Sequence, residues 1–477
     1  MLTLTLTTLL SWSMSMAGLP SSMASAPLNN KATNRIPAMS DVTWGRRARA
    51  TTIDGIVAAA IVLVVPFWMN MDRIALRYFD GSLSSATSAL WEEGVIDFAF
   101  NYYPRPSRTA IAGYTAWIIF QAVLYVSLPG RPCRSQRTPG GQLLEYTANG
   151  LLAWVVTHVL FLAAALMWVF KMSVVADHWD GLVVAMDAYG IFVSAASLLK
   201  GHFAPSFVGD RKLSSSIPFD FFSGVELNPR LGKSFDIKFF HNGRAGIVGW
   251  TLINASFAAF QYNVHGYVSN SMLVGNVLQA IYVVDFFINE DWYLRTVDIA
   301  HDHFGFYLAY GTTSFLPQLY TIQAQYLARY PTQLDTLQAL GALVLGVSGY
   351  ALFRSANWQK DVVRRTDGAT TIWGESAKVV RTKYHTSDGK EHDGLLLACG
   401  WWGVCRHINY LADLIQTFAM CIVCGFDHLL PWLHMLWMCL LLLNRLQRDE
   451  RRCRAKYGKQ WEKYCEKARY RLVPGIW

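Results

Sequence analysis

Residues 399–414 read CGWWGVCRHINYLADL, a Trp-Trp-Gly turn followed by Arg406, His407, Asn409 and Tyr410 at the entrance to an apolar segment. Such polar groups are costly inside lipid and unnecessary for anchoring, so they either cap the water-facing end of a helix or hold a ligand. Two basic stretches bear on the choice. One, 354–410, carries Lys360, Arg364, Arg365, Lys378, Arg381, Lys383, Lys390 and Arg406. The other is the tail NRLQRDERRCRAKYGKQWEKYCEKARYRLVPGIW, with 11 basic and 4 acidic residues. A basic tail after a membrane helix serves as a headgroup contact in the simplest reading. Here Asp449, Glu450, Tyr457 and Tyr464 are interleaved with the charge, which an electrostatic anchor does not require. An adenine nucleotide does require it: cations for phosphates, an aromatic face for the base and a carboxylate for a ribose hydroxyl or amide.

A second chemically dense stretch, FFINEDWYLRTVDIAHDHFGFYLAYG at 286–311, sets Glu290, Asp291, Asp298, His301, Asp302 and His303 at the head of an aromatic segment. These groups are either solvated at a membrane boundary or line a pocket that opens there. Pro317 should kink the segment that follows and free backbone groups toward a cavity. Other chemistries are disfavoured. No Gly-x-Gly occurs, so there is no Rossmann fingerprint, and there is no P-loop. None of the 12 histidines is paired at the three- or four-residue helical spacing, which argues against a di-iron site, and we expect no metal. Cys421-x-x-Cys424 stands alone in an apolar stretch and reads as packing.

The elements that must position these residues follow from composition. The chain has 477 residues, 53% hydrophobic and 16% charged, far more apolar than a soluble globular protein. Ten stretches approach the roughly 20 apolar residues that span a bilayer: 53–71, 108–129, 148–171, 180–199, 245–262, 269–288, 304–328, 335–353, 411–425 and 427–444. The last two are short and meet in a hairpin at Gly425–Asp427, so both basic stretches emerge on one face and can close on one ligand. With ten crossings, Arg73, Arg77, Arg105, Arg108, Lys171 and Arg329 fall on one side, and the other 36 of the 42 basic residues on the side of the termini. That excess places both termini in the cytoplasm. The aromatic stripe Cys453, Tyr457, Trp461 and Tyr464 extends the tenth helix until Gly458 interrupts it. Residues 1–43 read as an unstructured leader whose first 30 residues are uncharged. The fold class is thus all-α and polytopic. It divides into an N-terminal transmembrane scaffold (44–244) and a C-terminal core (245–477) holding the cavity and the cofactor pocket.

The run GWWGVCRHINYLADL and the whole tail through RLVPGIW resemble the membrane sterol reductase family, which includes reductases of the sterol delta-14, C-24(28) and delta-7 double bonds and the lamin B receptor. The stretches GVELNPRLGKSFDIKFFHNGRAGIVGWTLIN, NVLQAIYVVDFFINEDWYLRTVDIAHDHFGFYLAYG and NWQKDVVRRTDG are most similar to the delta-7 branch. The resemblance implies a ten-helix reductase of the endoplasmic reticulum membrane that uses NADPH and takes its sterol from the bilayer. It implies cofactor contacts at Lys360, Arg364, Leu397, Trp402, Asn409, Tyr410, Asp449, Cys453, Arg454, Ala455, Lys456, Tyr457 and Tyr464. Arg406 and His407 would support that pocket or reach a phosphate. Association with other sterol-pathway enzymes is a further implication.

A ring alkene is a poor hydride acceptor and must first be protonated, so such a reductase needs an acid near a dry, aromatic-walled cavity. The candidates are Glu290, Asp302 and Tyr307, with the alternative that Glu290 only pairs with Arg295 and Tyr307 only packs. Two other classes stay open on the residues alone: an isoprenylcysteine-type methyltransferase, which shares the Arg-His-x-x-Tyr pattern, and a sterol-binding receptor without catalysis.

Overall fold

The computed structural model describes residues 49–386 and 389–477; the leader expected over 1–43 lies outside them. The protein is mostly helical. Its long helices are α1 (Thr52–Tyr78), α2 (Arg108–Ser127), α3 (Gly150–Leu166), α4 (Trp179–Phe203), α5 (Val248–His265), α6 (Asn270–Ile288), α7 (Thr336–Arg365), α8 (Ile408–Ile422) and α9 (Leu433–Tyr457), with a short α10 (Lys459–Lys467) closing the chain. Among the described residues α1, α2, α4, α6 and α7 are long and apolar enough to cross a bilayer, while α3 and α8 are shorter apolar helices.

Local sequence sets the starts of these helices. Thr51 and Asp54 form a reciprocal capping box on α1, and Asp335 and Gln338 form another on α7, each satisfying backbone donors that would otherwise be orphaned. Glycines set how closely the later helices pack. A Cβ on Gly346 of α7 would sit 2.5 Å from Leu278 on α6, and one on Gly349 3.0 Å from Gln416 on α8. Backbones meet along this seam as they do where small residues line membrane helix contacts.

The connections collect at two ends of the bundle. At one end Arg73 pairs with Asp180 at 2.5 Å, Asn263 donates to Ser173 at 3.1 Å, Asn270 donates to the Leu334 carbonyl at 2.7 Å, and Tyr326 meets His428 at 2.8 Å. At the other, Arg131 pairs with Asp291 at 2.7 Å and Arg445 with Asp298 at 2.6 Å.

Three features depart from the sequence expectation. The stretch 304–328 is not one kinked helix. It breaks into Phe306–Tyr310, a π-helical turn Gly311–Phe315, Leu316–Leu319 and Ile322–Leu327. Pro317 lacks an N–H, and buried hydroxyl and amide side chains take up the local carbonyls: Thr313 donates to Ala309 and Thr321 to Pro317, each at 2.6 Å, and Gln325 donates to Gln318 at 2.7 Å. These partners let non-ideal backbone persist at membrane depth. Second, the fold is not purely α: among the described residues there are four two-stranded antiparallel sheets. The longest is a hairpin of β1 (Val379–His385) and β2 (Glu391–Leu397), with Val379 opposite Leu397 and His385 opposite Glu391. Third, Glu290 pairs with Arg244 at 2.6 Å and not with Arg295, which instead meets Asp361.

Candidate active site

A cavity of about 360 Å³ lies between α5, α6 and the broken 306–327 segment on one side and α7, α8 and α9 on the other. Helix α9 alone contributes lining residues from Trp437 to Tyr457, about 30 Å of helix at 1.5 Å per residue. The cavity therefore changes character along its length. The end toward Trp437 is apolar and aromatic, walled by Ile247, Trp250, Phe315, Leu316, Tyr320 and Leu441. The end toward Tyr457 is cationic and hydrogen-bonding, walled by Lys360, Arg364, Asn409, Tyr410, Asp449 and Lys456.

The structure brings most of the expected residues to this one space. Leu397, Trp402, Cys453, Tyr457 and Tyr464 join the six polar-end residues in the lining. Arg454 and Ala455 do not; they lie on the exposed face of α9. The Lys360 ammonium sits 4.1 Å from the Trp402 ring centre, a cation–π contact that orients both. Tyr464, Trp461 and Cys453 are buried together against Val380 of β1, Ala398 and Ala468, so the aromatic stripe is the seat of the tail on the hairpin. Lys456 Nζ lies 3.9 Å from the Tyr384 ring on β1.

Arg406 closes this lid from beneath. It pairs with Glu450 at 2.7 Å and donates to the carbonyls of Ala468 at 2.8 Å and Arg469 at 3.0 Å. Its own N–H and that of His407 donate to the Tyr470 and Arg471 carbonyls. The Arg-His pair thus fastens the tail over the cavity. Both also line it, with His407 stacked on Tyr410 at 5.1 Å. Burial pushes the His407 ring down to about 4, so it is a neutral imidazole at physiological pH.

Electrostatics at the polar end are one-sided. Half-buried, and beside the Arg452 guanidinium, the Lys456 ammonium is pushed down to about 7. Burial alone would favour a neutral Asp449, but Arg452, together with His407 and Lys360, outweighs it and holds this carboxyl well below the usual carboxylate range. Asp449, and Asp361 already engaged by Arg295 and Arg365, stand against Lys360, Arg364, Arg452 and Lys456, which leaves net positive charge facing the cavity.

Sequence reasoning missed how the floor is held. Arg445, Arg448 and Arg452 stand three and four residues apart on one face of α9. Arg445 pairs with Asp298 at 2.6 Å, Arg448 with Asp302 at 2.8 Å, and Arg452 contacts His301 at 2.7 Å. Lys238, fully buried, donates to the carbonyls of Asp298, Ile299 and Asp302 at 3.1, 2.6 and 2.9 Å, and burial pushes its ammonium down to about 8. The loop 297–302 is therefore clamped from both sides. The spacing of the three arginines was the available signal; their partners, some 150 positions earlier, gave none.

The three candidate acids separate. Tyr307 lines the cavity, with the Arg448 guanidinium 5.8 Å from its ring centre. Asp302 is outside the lining and engaged by Arg448. Glu290 is also outside it, 1% exposed, its carboxylate held by Arg244 and accepting the Gly150 N–H at 2.7 Å.

The chain matches the ergosterol biosynthesis ERG4/ERG24 family over residues 52–477. It is 46% identical over 386 residues to a 7-dehydrocholesterol reductase of Xenopus laevis, which covers 78% of this chain and 81% of that protein. With a 7-dehydrocholesterol reductase of Danio rerio it is 41% identical over 457 residues, 92% of this chain and 95% of the other. A Delta(14)-sterol reductase of Methylotuvimicrobium alcaliphilum is 35% identical over 406 residues, 85% of this chain and 91% of that one.

Proposed function

This chain belongs to the ERG4/ERG24 family of sterol reductases, and from that premise we propose that it reduces the C7–C8 double bond of 5,7-diene sterols with NADPH. The observation that carries the reading is the two-ended cavity: an apolar, aromatic half suited to a fused-ring sterol continuous with a cationic half suited to a dinucleotide.

The polar end fits NADPH on its own chemistry. Burial first, and then the neighbouring Arg452 guanidinium, drive the Lys456 ammonium down to about 7, and an anionic ligand relieves that penalty. Lys360, Arg364 and Lys456 would take phosphates, Asp449 and Asn409 would hold hydroxyl or amide groups, and Trp402, Tyr457 and Tyr464 would offer ring faces. NADPH, when bound, supplies the hydride. Tyr307, the candidate acid that lines the cavity, holds the proton that the alkene must receive, and the Arg448 guanidinium near its ring stabilises phenolate character as the proton leaves. Trp250, Tyr320 and Trp437 exclude the water that would trap the cationic carbon. The proton joins one alkene carbon and the hydride the other, leaving the C5–C6 double bond intact.

The finer assignments belong to the same proposal: ten crossings, both termini cytoplasmic, residence in the endoplasmic reticulum, sterol entry from the bilayer, a bracing part over 44–244 and a reductase core over 245–477. The strong basic excess on one side and the gathering of connections at two ends support the orientation. Of residues 44–244, Gln136 and Asn242 reach the cavity lining, which supports the division of labour.

The test is loss of conjugated-diene ultraviolet absorbance from a 5,7-diene sterol in membranes containing the protein, with NADPH, NADH or no cofactor. Loss with NADPH and a product retaining the 5-ene is the expected result. A diene left intact while a delta-14 diene is consumed would transfer the assignment to delta-14 reduction, the activity named for the Methylotuvimicrobium relative.

A further inference from the structure

Asn242 is 1% exposed, and neither its amide nitrogen nor its amide oxygen has a hydrogen-bond partner. A buried carboxamide with both ends unpaired is costly and rare in a folded protein. Its polar neighbours on the π-helical turn His241–Ile247 each have side-chain partners, although the Arg244 Nε makes no hydrogen bond. His241 meets the Ile237 carbonyl at 2.7 Å and the Tyr189 hydroxyl at 3.0 Å, and Arg244 meets Glu290 and donates to Asn149 at 2.8 Å. Asn242 is left over, and it lines the cavity together with Thr312 of the second π-helical turn and Tyr307. The two wide turns are pressed together there: a Cβ on Gly246 would overlap the Thr312 carbonyl oxygen.

Its location matches the polarity of a sterol. Asn242 lies at the edge of the apolar stretch that begins at 245, where hydrocarbon gives way to water. Past it the walls become Ile247, Leu316 and Trp250. A sterol is a rigid apolar ring system with one hydroxyl, a group that donates one hydrogen bond and accepts others. A carboxamide offers the matching acceptor and donor.

We propose that Asn242 anchors the 3-hydroxyl of the sterol, its Oδ1 accepting the hydroxyl proton while its Nδ2 donates to the hydroxyl oxygen. The inference rests on the sterol reading above and names the group that sets the substrate's register against Tyr307 and the cofactor end. Asn242 is then a positioning residue for the ring that reacts. Asn357, whose amide nitrogen is also unpaired, stands one turn from Lys360 on α7 and belongs to the cofactor end.

The experiment compares three 5,7-dienes, bearing a 3-hydroxyl, a 3-methyl ether or no 3-substituent, in membranes containing the full chain and NADPH. Wild-type kcat/KM should fall in that order, with the hydroxyl form favoured over the 3-deoxy form on the order of ten- to a hundredfold. Asn242→Leu should lower the hydroxyl substrate and leave the 3-deoxy one unchanged, bringing the ratio to about one. Asn242→Asp keeps the size and the acceptor but loses the donor, so it should lower the methyl ether, which can only accept, more than the hydroxyl form. That comparison decides the matter if the leucine variant fails to accumulate. Equal wild-type rates on all three substrates, a hydroxyl preference retained in Asn242→Leu, or a methyl ether lowered no more than the hydroxyl form in Asn242→Asp, would overturn the anchor and leave the reductase reading standing. Failure of the wild type to reduce any of the three would overturn both.

Discussion

Two buried charged assemblies in this protein look alike in sequence and differ in use. Around Arg244 and Glu290 the charges are matched: one guanidinium meets one carboxylate at 2.6 Å, with Asn149 and the Gly150 N–H completing the set. Along the cavity face of α9 and α7 they are not, because Lys360, Arg364, Arg452 and Lys456 confront Asp449 and Asp361, and Asp361 is already engaged by Arg295 and Arg365. The first assembly is closed and ties α3, the π-helical turn and the end of α6 together. The second is open and attracts an anion. Burial alone therefore does not mark a carboxyl as catalytic; what distinguishes the site is charge left unbalanced toward a cavity.

The contrast breaks most visibly at Tyr307. Replacing it by Phe removes the proposed proton donor and should lower kcat about a hundred- to ten-thousandfold with the KM for NADPH unchanged; equal losses in both would make it a binding residue instead. In the closed assembly, Glu290→Gln should act on stability, by about 3–5 kcal/mol as for an opened buried ion pair, and leave turnover per folded molecule intact. Thermal unfolding in detergent beside a specific-activity assay separates these effects, and a folded but inactive variant would return Glu290 to the catalytic list.

Smaller effects belong to the open assembly. Arg364→Ala should raise the KM for NADPH about ten- to a hundredfold, the range for a charge-assisted phosphate contact, and narrow the preference over NADH, with membrane insertion unaltered. The pH dependence is smaller still and comes from two lysines: Lys360, which burial pushes down to about 7, and Lys456. Its ammonium lies near 7 in the free protein, and a bound phosphate raises it. Affinity for the cofactor is thus fully present below pH 7 and falls as pH rises through the bound-state value, by at most about tenfold per unit for each lysine. Lys456→Arg should remove one lysine's share of that slope, and Lys456→Arg combined with Lys360→Arg should flatten it, which titration of cofactor binding between pH 6 and 9 would reveal.

Much of the site was legible along the chain. The mixture of cations, aromatic rings and one acid in 354–410 and in the tail pointed to a nucleotide, and the hairpin at Gly425–Asp427 required both stretches to emerge together. The hairpin β1–β2 was also written in the alternation of VVRTKYH. It was overlooked in a chain so rich in helices. The partners of buried charges were not legible. Glu290 has Arg295 five residues away, yet meets Arg244, because the π-helical turn at 241–247 brings that guanidinium beneath the start of α3.

The sequence by itself determined that this is a membrane protein with a basic face, a nucleotide-like polar end and family membership, since those follow from composition, charge bias and contiguous motifs. Only the tertiary structure decided which buried polar groups are mutually satisfied and which are left facing a cavity. Hydrogen-bond satisfaction is a property of side chains brought together from distant positions, Arg448 with Asp302 or Lys238 with the 298–302 carbonyls, and no local pattern encodes it. The same accounting exposes Asn242, ordinary in sequence and unpaired in the fold.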